Sequence, residues 1–159
     1  MVRVNNQRFF GKQNIPWRPD VEQFLKQFIG SSYIVQSTGE AIMIPKGFPD
    51  EYTGSRYTKR LRGGLAKTKA NVAPYIGELI ETAYNRRVVE NKDEKHSKDA
   101  SGGWIRYDVD FELGVKSENE TETRWNRYRA TLVIRVVDDK KYLYDLINIK
   151  KEARRPLES

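Results

Sequence analysis

Three stretches in the C-terminal part of the chain alternate apolar and polar residues with a period of two, and that pattern restricts the fold more than any other feature. Between residues 104 and 115, Ile105, Tyr107, Val109, Phe111, Leu113 and Val115 take every second place. Between 123 and 137 those places fall to Tyr128, Ala130, Leu132, Ile134 and Val136, and between 141 and 150 Leu143, Ile147 and Ile149 continue the rule. Successive side chains of a β-strand point to opposite faces, so each stretch reads as a strand with one apolar face. The connections Ser117-Glu118-Asn119 and Asp138-Asp139-Lys140 are short and polar, as antiparallel neighbours require. One residue fits badly. Strict alternation carries Asp145 inward with Leu143 and Ile147, and an inward carboxylate needs a partner or water.

The preceding residues carry a different period. Val21, Phe24, Leu25, Phe28 and Ile29 share one face of a helix over 20–29, and Gly30 follows as a stop. Tyr33-Ile34-Val35 and Ala41-Ile42-Met43-Ile44 flank a polar stretch with Thr38-Gly39-Glu40 and read as a hairpin that Pro45 ends. Gly, Pro and Asp content makes 46–54 a loop, and a second helix is expected over 74–86, with Pro74 in its first turn and Ile76, Leu79, Ile80 and Ala83 buried. Residues 91–103 lack periodicity and read as a polar loop. The expected fold is α+β, with N-terminal helices and a short hairpin packed on a C-terminal three- to four-stranded antiparallel sheet. Residues 1–19 would form an arm, 20–152 a single domain and 153–159 a loose tail. A chain of 159 residues suffices for one core.

Charge speaks to partners. The chain has 29 Lys and Arg against 22 Asp and Glu, a net charge of +7, and a positive field gathers polyanions. Residues 55–69 supply Arg56, Lys59, Arg60, Arg62, Lys67 and Lys69 without one acidic residue. These cations lie among Tyr, Ser and Thr, not opposite an apolar stripe, which favours nucleic acid over a membrane surface. Cysteine is absent, so there is no disulfide, thiolate zinc site or thiol nucleophile, and an intracellular working place is expected. No apolar run reaches membrane-spanning length, and residues 1–10 lack the apolar stretch of a secretory signal.

Candidate chemistry is sparse. With residue 115 opposite 122, Asp108 would pair with Arg129 and Asp110 with Arg127 as ordinary cross-strand ion pairs. Arg106 and Arg135 would then face Thr131 and Tyr144 and stay available for a phosphate, with Tyr142 and Tyr144 offering rings on which bases stack. The one histidine, His96, lies in a polar loop between Lys92, Lys95 and Lys98. A lone histidine is more often a surface residue than a catalyst, but it titrates near neutrality and these lysines could hold a phosphate. One histidine without cysteine excludes the common zinc arrangements, no acidic cluster suits two metals or calcium, and Gly63-Gly64 lacks the phosphate-loop pattern.

From Phe24 to Glu152 the succession resembles a domain family of phage and conjugative-element polyvalent proteins. That family is assigned to the Barnase, EndoU, colicin E5, colicin D and RelE-like nucleases. The likeness is carried by 33–44, by Phe48-Pro49-Asp50-Glu51-Tyr52-Thr53-Gly54-Ser55-Arg56-Tyr57-Thr58-Lys59, by 90–100 around His96, by Trp104-Ile105-Arg106-Tyr107-Asp108, and by 142–152. The resemblance implies a metal-independent ribonuclease without cofactor, a hydrolase or toxin of a mobile element, acting on RNA in the cytoplasm of a bacterial host cell, with a host or immunity protein as a further partner. The group has no fixed catalytic motif to carry over. The residues suggest His96 for proton transfer, Lys92 and Arg106 for the phosphate, and Tyr144 as base platform or hydroxyl donor. Lys59, Arg60, Arg62, Lys67, Lys69, Lys95 and Arg135 would bind nucleic acid. Two readings compete: a non-catalytic mobile-element module that binds nucleic acid or blocks a host defence protein, and a phage-particle component that binds packaged nucleic acid.

Overall fold

The structure is a computed structural model and describes residues 1–9, 17–90, 102–115 and 124–152. Strand β1 (Val2–Val4) precedes α1 (Trp17–Leu25), which runs into a 3-10 turn at Lys26–Phe28. The hairpin β2 (Ser32–Ile34) and β3 (Ala41–Met43) leads to α2 (Phe48–Gly54), α3 (Arg56–Arg60) and α4 (Gly63–Val72). A 3-10 turn at Ala73–Tyr75 opens α5 (Ile76–Thr82), and the chain closes with β4 (Tyr84–Val89), β5 (Trp104–Val115), β6 (Arg124–Val137) and β7 (Lys140–Lys151).

The long strands lie where the alternation puts them, but the sheet is larger than expected. It has seven strands and is mixed, in the order β1-β5-β6-β7-β3-β2, with β4 also paired to β5. The expected three- to four-stranded antiparallel sheet is thus corrected: β1 joins β5 in parallel, β3 joins β7 in parallel, and β4 adds an antiparallel edge. The β2–β3 hairpin lies where it was expected, but β1, with three residues, carries too little period to be read. Tyr84–Val89, whose first half was assigned to a helix, is a strand with a register shift after Tyr84 and with Asn85 at φ 58°. The stretch read as a loop, 46–54, holds α2: Pro49 occupies its first turn, and Phe48 and Tyr52, four residues apart, are both buried.

β5 and β6 pair without a slip from Trp104↔Arg135 to Val115↔Arg124, two residues away from the register that set 115 against 122. Asp138 and Asp139 both take positive φ between Val137 and Lys140, the geometry of a two-residue hairpin turn. β7 then breaks step with β6 twice. Ile134 faces Leu143 and Val133 faces Asp145, leaving Tyr144 as an extra residue; the second shift lies between Ile147 and Lys150, where Asn148 has φ 54°. Leu146 therefore takes the core position opposite Leu132, and Asp145 leaves the alternating face that strict periodicity assigned to it.

The helices cover one side of the sheet. Val21, Leu25, Phe48, Ile76, Leu79 and Ile80 share a core with Tyr107, Phe111, Leu132 and Ile134. β3 meets β7 only at Met43↔Tyr142. Further along, Tyr57 of α3 accepts the Ile149 backbone N–H at 2.9 Å, so a hydroxyl serves a strand edge that would otherwise be open. At the other end of β7, Glu40 accepts from Arg86, Tyr107 and Lys141 and binds the β2–β3 hairpin to three longer strands. Burial alone would raise the Glu40 pKa, but these hydrogen bonds outweigh it and lower the value to about 2.

Asp145 finds its partner in Lys69, which projects from α4 and is fully buried. The Lys69 ammonium donates to Asp145 Oδ1 and to Thr58 Oγ1, both at 2.6 Å, and lies 4.5 Å from the centroid of the Tyr52 ring. Asp145 Oδ1 also accepts the Leu146 N–H at 2.8 Å, and the Ser55 hydroxyl opposes the rise of the Asp145 pKa. Burial pulls the Lys69 pKa down and pushes that of Asp145 up, each against the attraction of the other.

Removing one member strands a buried charge. Lys69→Met should cost about 3–5 kcal/mol in urea unfolding, and adding Asp145→Leu should recover most of it; equal losses in the single and double variants would show that the pairing contributes nothing. Glu40 sets an acid limit of opposite origin. Its folded pKa lies below its ordinary value of 4.5, so its stabilisation is complete above that pH and disappears as pH falls towards about 2. The stability gap between the parent and Glu40→Gln should close over that interval.

Candidate nucleic-acid interface

The polar face of β5–β7 divides into a half where charges neutralise one another and a half, bordered by α2, where arginines and rings gather. In the first, acids and arginines consume each other. Asp108 accepts from Arg87 at 2.9 Å and Asn85 at 2.8 Å. Asp110 accepts from Arg129 and Tyr84, both at 3.0 Å, with Arg127 at 3.5 Å. Glu152 lies 3.3 Å from both Arg127 and Arg129, and Glu112 pairs with Arg3. Of the two pairs expected on the earlier register, Asp110–Arg127 survives as a diagonal contact, and Asp108 takes Arg87 in place of Arg129.

The other half carries Trp104, Arg106, Arg135, Tyr142 and Tyr144. Trp104, Arg135 and Tyr142 form one cross-strand row, and Arg106, Val133 and Asp145 the next. Arg106 and Arg135 thus face Val133 and Tyr142, not Thr131 and Tyr144. The Trp104 and Tyr144 rings meet edge to face with centroids 4.9 Å apart, and the Arg135 guanidinium lies 5.2 Å over the Tyr142 ring. Among the described residues, the buried Nε atoms of Arg106 and Arg135 have no hydrogen-bond partner. Unsatisfied buried donors are costly.

Beside these arginines a cavity of about 200 Å³ opens between α2 and β7, lined by Gly47, Phe48, Glu51, Arg135, Leu143 and Tyr144. Glu51 is set there by a short corner. Ser55 ends α2 by donating its N–H to the Glu51 carbonyl at 2.8 Å, and its hydroxyl caps α3 by accepting the Thr58 N–H at 3.1 Å. Burial raises the Glu51 pKa, helped by Asp145 and Asp50, while the hydrogen bond with Tyr144 and the charge of Lys69 oppose the rise. Among the described residues no ion pair joins Glu51 to Arg135.

Of the residues expected at a site, Arg106, Arg135 and Tyr144 come together on this face. Lys59, Arg60, Arg62 and Lys67 are exposed on α3, α4 and the corner between them, where Arg62 also donates to the Lys59 carbonyl at 2.7 Å. Lys69 is corrected: its ammonium is enclosed and engaged by Asp145, and it offers nothing to a phosphate. His96, Lys92 and Lys95 lie outside the described residues. Glu51 and Trp104 were not singled out from sequence. The spacing of Phe48 and Tyr52 was the available signal for α2, and hence for Glu51. Among the described residues no group of three or more His, Asp or Glu is placed to hold a metal ion.

The hydrogen bond from Tyr144 lowers the pKa of Glu51, so its loss has a sign. Tyr144→Phe should raise that pKa further, as followed by carboxyl ¹³C titration; no change would show that the two side chains do not interact. Comparison of the chain with protein-family models, with curated proteins and with solved structures returns no match.

Proposed function

We propose that this chain binds single-stranded RNA across the half of its sheet that carries Arg106 and Arg135 and cleaves it without a metal ion, by attack of a 2′-hydroxyl on the adjacent phosphate. The observation that carries the reading is the grouping of Arg106 and Arg135, with their unsatisfied Nε donors, among Trp104, Tyr142 and Tyr144. Half-buried rings on a sheet suit unpaired bases, whose faces can stack, and guanidinium groups suit the phosphates between them. The duplex hides its base faces and suits this surface poorly. The exposed cations of 59–67 extend the positive field beyond the sheet and would hold flanking phosphates.

Cleavage is supported by a carboxyl group whose pKa lies above the ordinary glutamate value, beside an arginine to which it is not paired. The resemblance to the polyvalent-protein nucleases adds the setting to this proposal: a mobile-element protein acting in the cytoplasm of a bacterial host. Among the described residues no helix is long and apolar enough to cross a membrane.

The test is binding and cleavage of a mixed-sequence oligoribonucleotide in EDTA. Affinity should fall with salt, and Arg106→Ala and Arg135→Ala should each reduce the logarithmic salt slope by about 0.7. Trp104→Ala should weaken binding by about tenfold, since one base–ring stack contributes about 1–3 kcal/mol. Exchange of Lys59, Arg60 and Arg62 for Ala should weaken binding and flatten the salt slope. Products ending in 2′,3′-cyclic phosphate would establish the reaction; intact RNA with tight, salt-dependent binding would leave a non-catalytic module.

A further inference from the structure

We infer that Glu51 is the general base of this reaction, taking the 2′-hydroxyl proton in the cavity between α2 and β7 while Arg135 holds the phosphate. The inference rests on the reading above and names the catalytic residue that sequence reasoning did not single out. A space of about 200 Å³ is below the usual 300–1,000 Å³ of a whole small-molecule pocket. It suits a phosphate and part of a ribose, with the base left outside on the rings of Trp104 and Tyr144.

The polar groups of the cavity are arranged for a proton transfer. Tyr144 lines the cavity beside Glu51 and opposes the rise of its pKa. An ionised carboxylate has two oxygens and about four acceptor positions, which leaves capacity for a 2′-hydroxyl beside Tyr144. Arg135 shares the cavity without neutralising Glu51, and its Nε has no partner. A guanidinium not spent on an ion pair can engage phosphate oxygens through its terminal nitrogens as charge builds on them.

The step balances. The 2′-oxygen bonds to phosphorus as its proton passes to Glu51. The bond from phosphorus to the 5′-oxygen breaks, and that oxygen takes a proton from solvent water. The hydroxide left behind is neutralised by the proton Glu51 then releases, giving a 2′,3′-cyclic phosphate and a 5′-hydroxyl end. The groups that face Glu51 are Asp50 on its own helix, Lys69 from α4, Arg135 from β6, and Tyr144 and Asp145 from β7. Burial together with Asp50 and Asp145 outweighs Lys69 and the Tyr144 hydrogen bond, so Glu51 titrates above an ordinary glutamate. A base must be ionised to act, so the rate rises with pH through that elevated value.

The experiment measures single-turnover cleavage of the oligoribonucleotide in EDTA across pH, and affinity separately with its non-cleavable 2′-deoxy counterpart. Circular dichroism checks each variant. Glu51→Gln keeps the size and an acceptor for Tyr144; it should cleave about 10²–10⁴-fold more slowly, bind within about twofold of the parent, and lose the rising acidic limb. Glu51→Asp should restore part of the rate and a rising limb, which keeps the inference testable if Glu51→Gln misfolds. Tyr144→Phe should move that limb to higher pH. Parental cleavage by Glu51→Gln, or a rate loss matched by lost affinity with the pH limb intact, overturns the assignment and leaves the ribonuclease reading standing, with His96→Ala then expected to carry the loss. A parent that binds RNA and leaves it whole overturns both the base and the cleavage. Absence of binding overturns the whole reading.

Discussion

The side of the molecule that carries the candidate site depends on one ion pair held away from water. Lys69 and Asp145 meet at 2.6 Å inside a cage of Tyr52, Ser55 and Thr58. Desolvating two charges is expensive and is offset only where geometry is close and the remaining donors and acceptors are used. Both conditions are met: Thr58 accepts a second ammonium proton, and the Leu146 N–H serves the carboxylate. The pair thereby constrains where α4 and the α2–α3 corner sit against β7. It also accompanies the change of step in the strand, because the shift that turns Leu146 to the core places Asp145 beside Lys69.

The same irregularity serves the proposed chemistry. The residue left over by the first shift in β7 is Tyr144, which touches Trp104 and lines the cavity beside Glu51. A strand without that extra residue would run in plain alternation and would not present a side chain in this way. The structural pair and the candidate site are thus built on adjacent residues, Tyr144 and Asp145. Charge is partitioned across the face in a comparable way. Asp110 and Glu152 occupy Arg127 and Arg129, Asp108 occupies Arg87, and among the described residues no carboxylate pairs with Arg106 or Arg135.

Legibility followed the range of the interactions. The three long strands could be read because alternation over ten or more residues is a local consequence of the pleat, and β5, β6 and β7 lie within a residue of where it put them. Arg106, Arg135 and Tyr144 were marked because they are arginines and a tyrosine on outward or irregular positions of those strands. Their neighbours were misassigned by two residues, since register follows from pairing and the turn, not from one strand alone. Lys69 shows the opposite failure. In a run of cations with no acid nearby it looked like a phosphate ligand, and only an aspartate 76 residues away reveals it as a core residue.

What the sequence by itself determined was the α+β class, the three principal strands, the presence of helices before them and the excess of positive charge. These arise from periodicity and composition, which act between near neighbours. Tertiary structure alone decided that the sheet is mixed and seven-stranded, that β7 breaks step twice, that Lys69 is enclosed, and that Glu51 shares a cavity with Arg135 and Tyr144. Each depends on contacts between residues far apart in the chain: three-residue strands are stabilised by the strands they join, and a carboxylate's surroundings are set by whichever elements close around it.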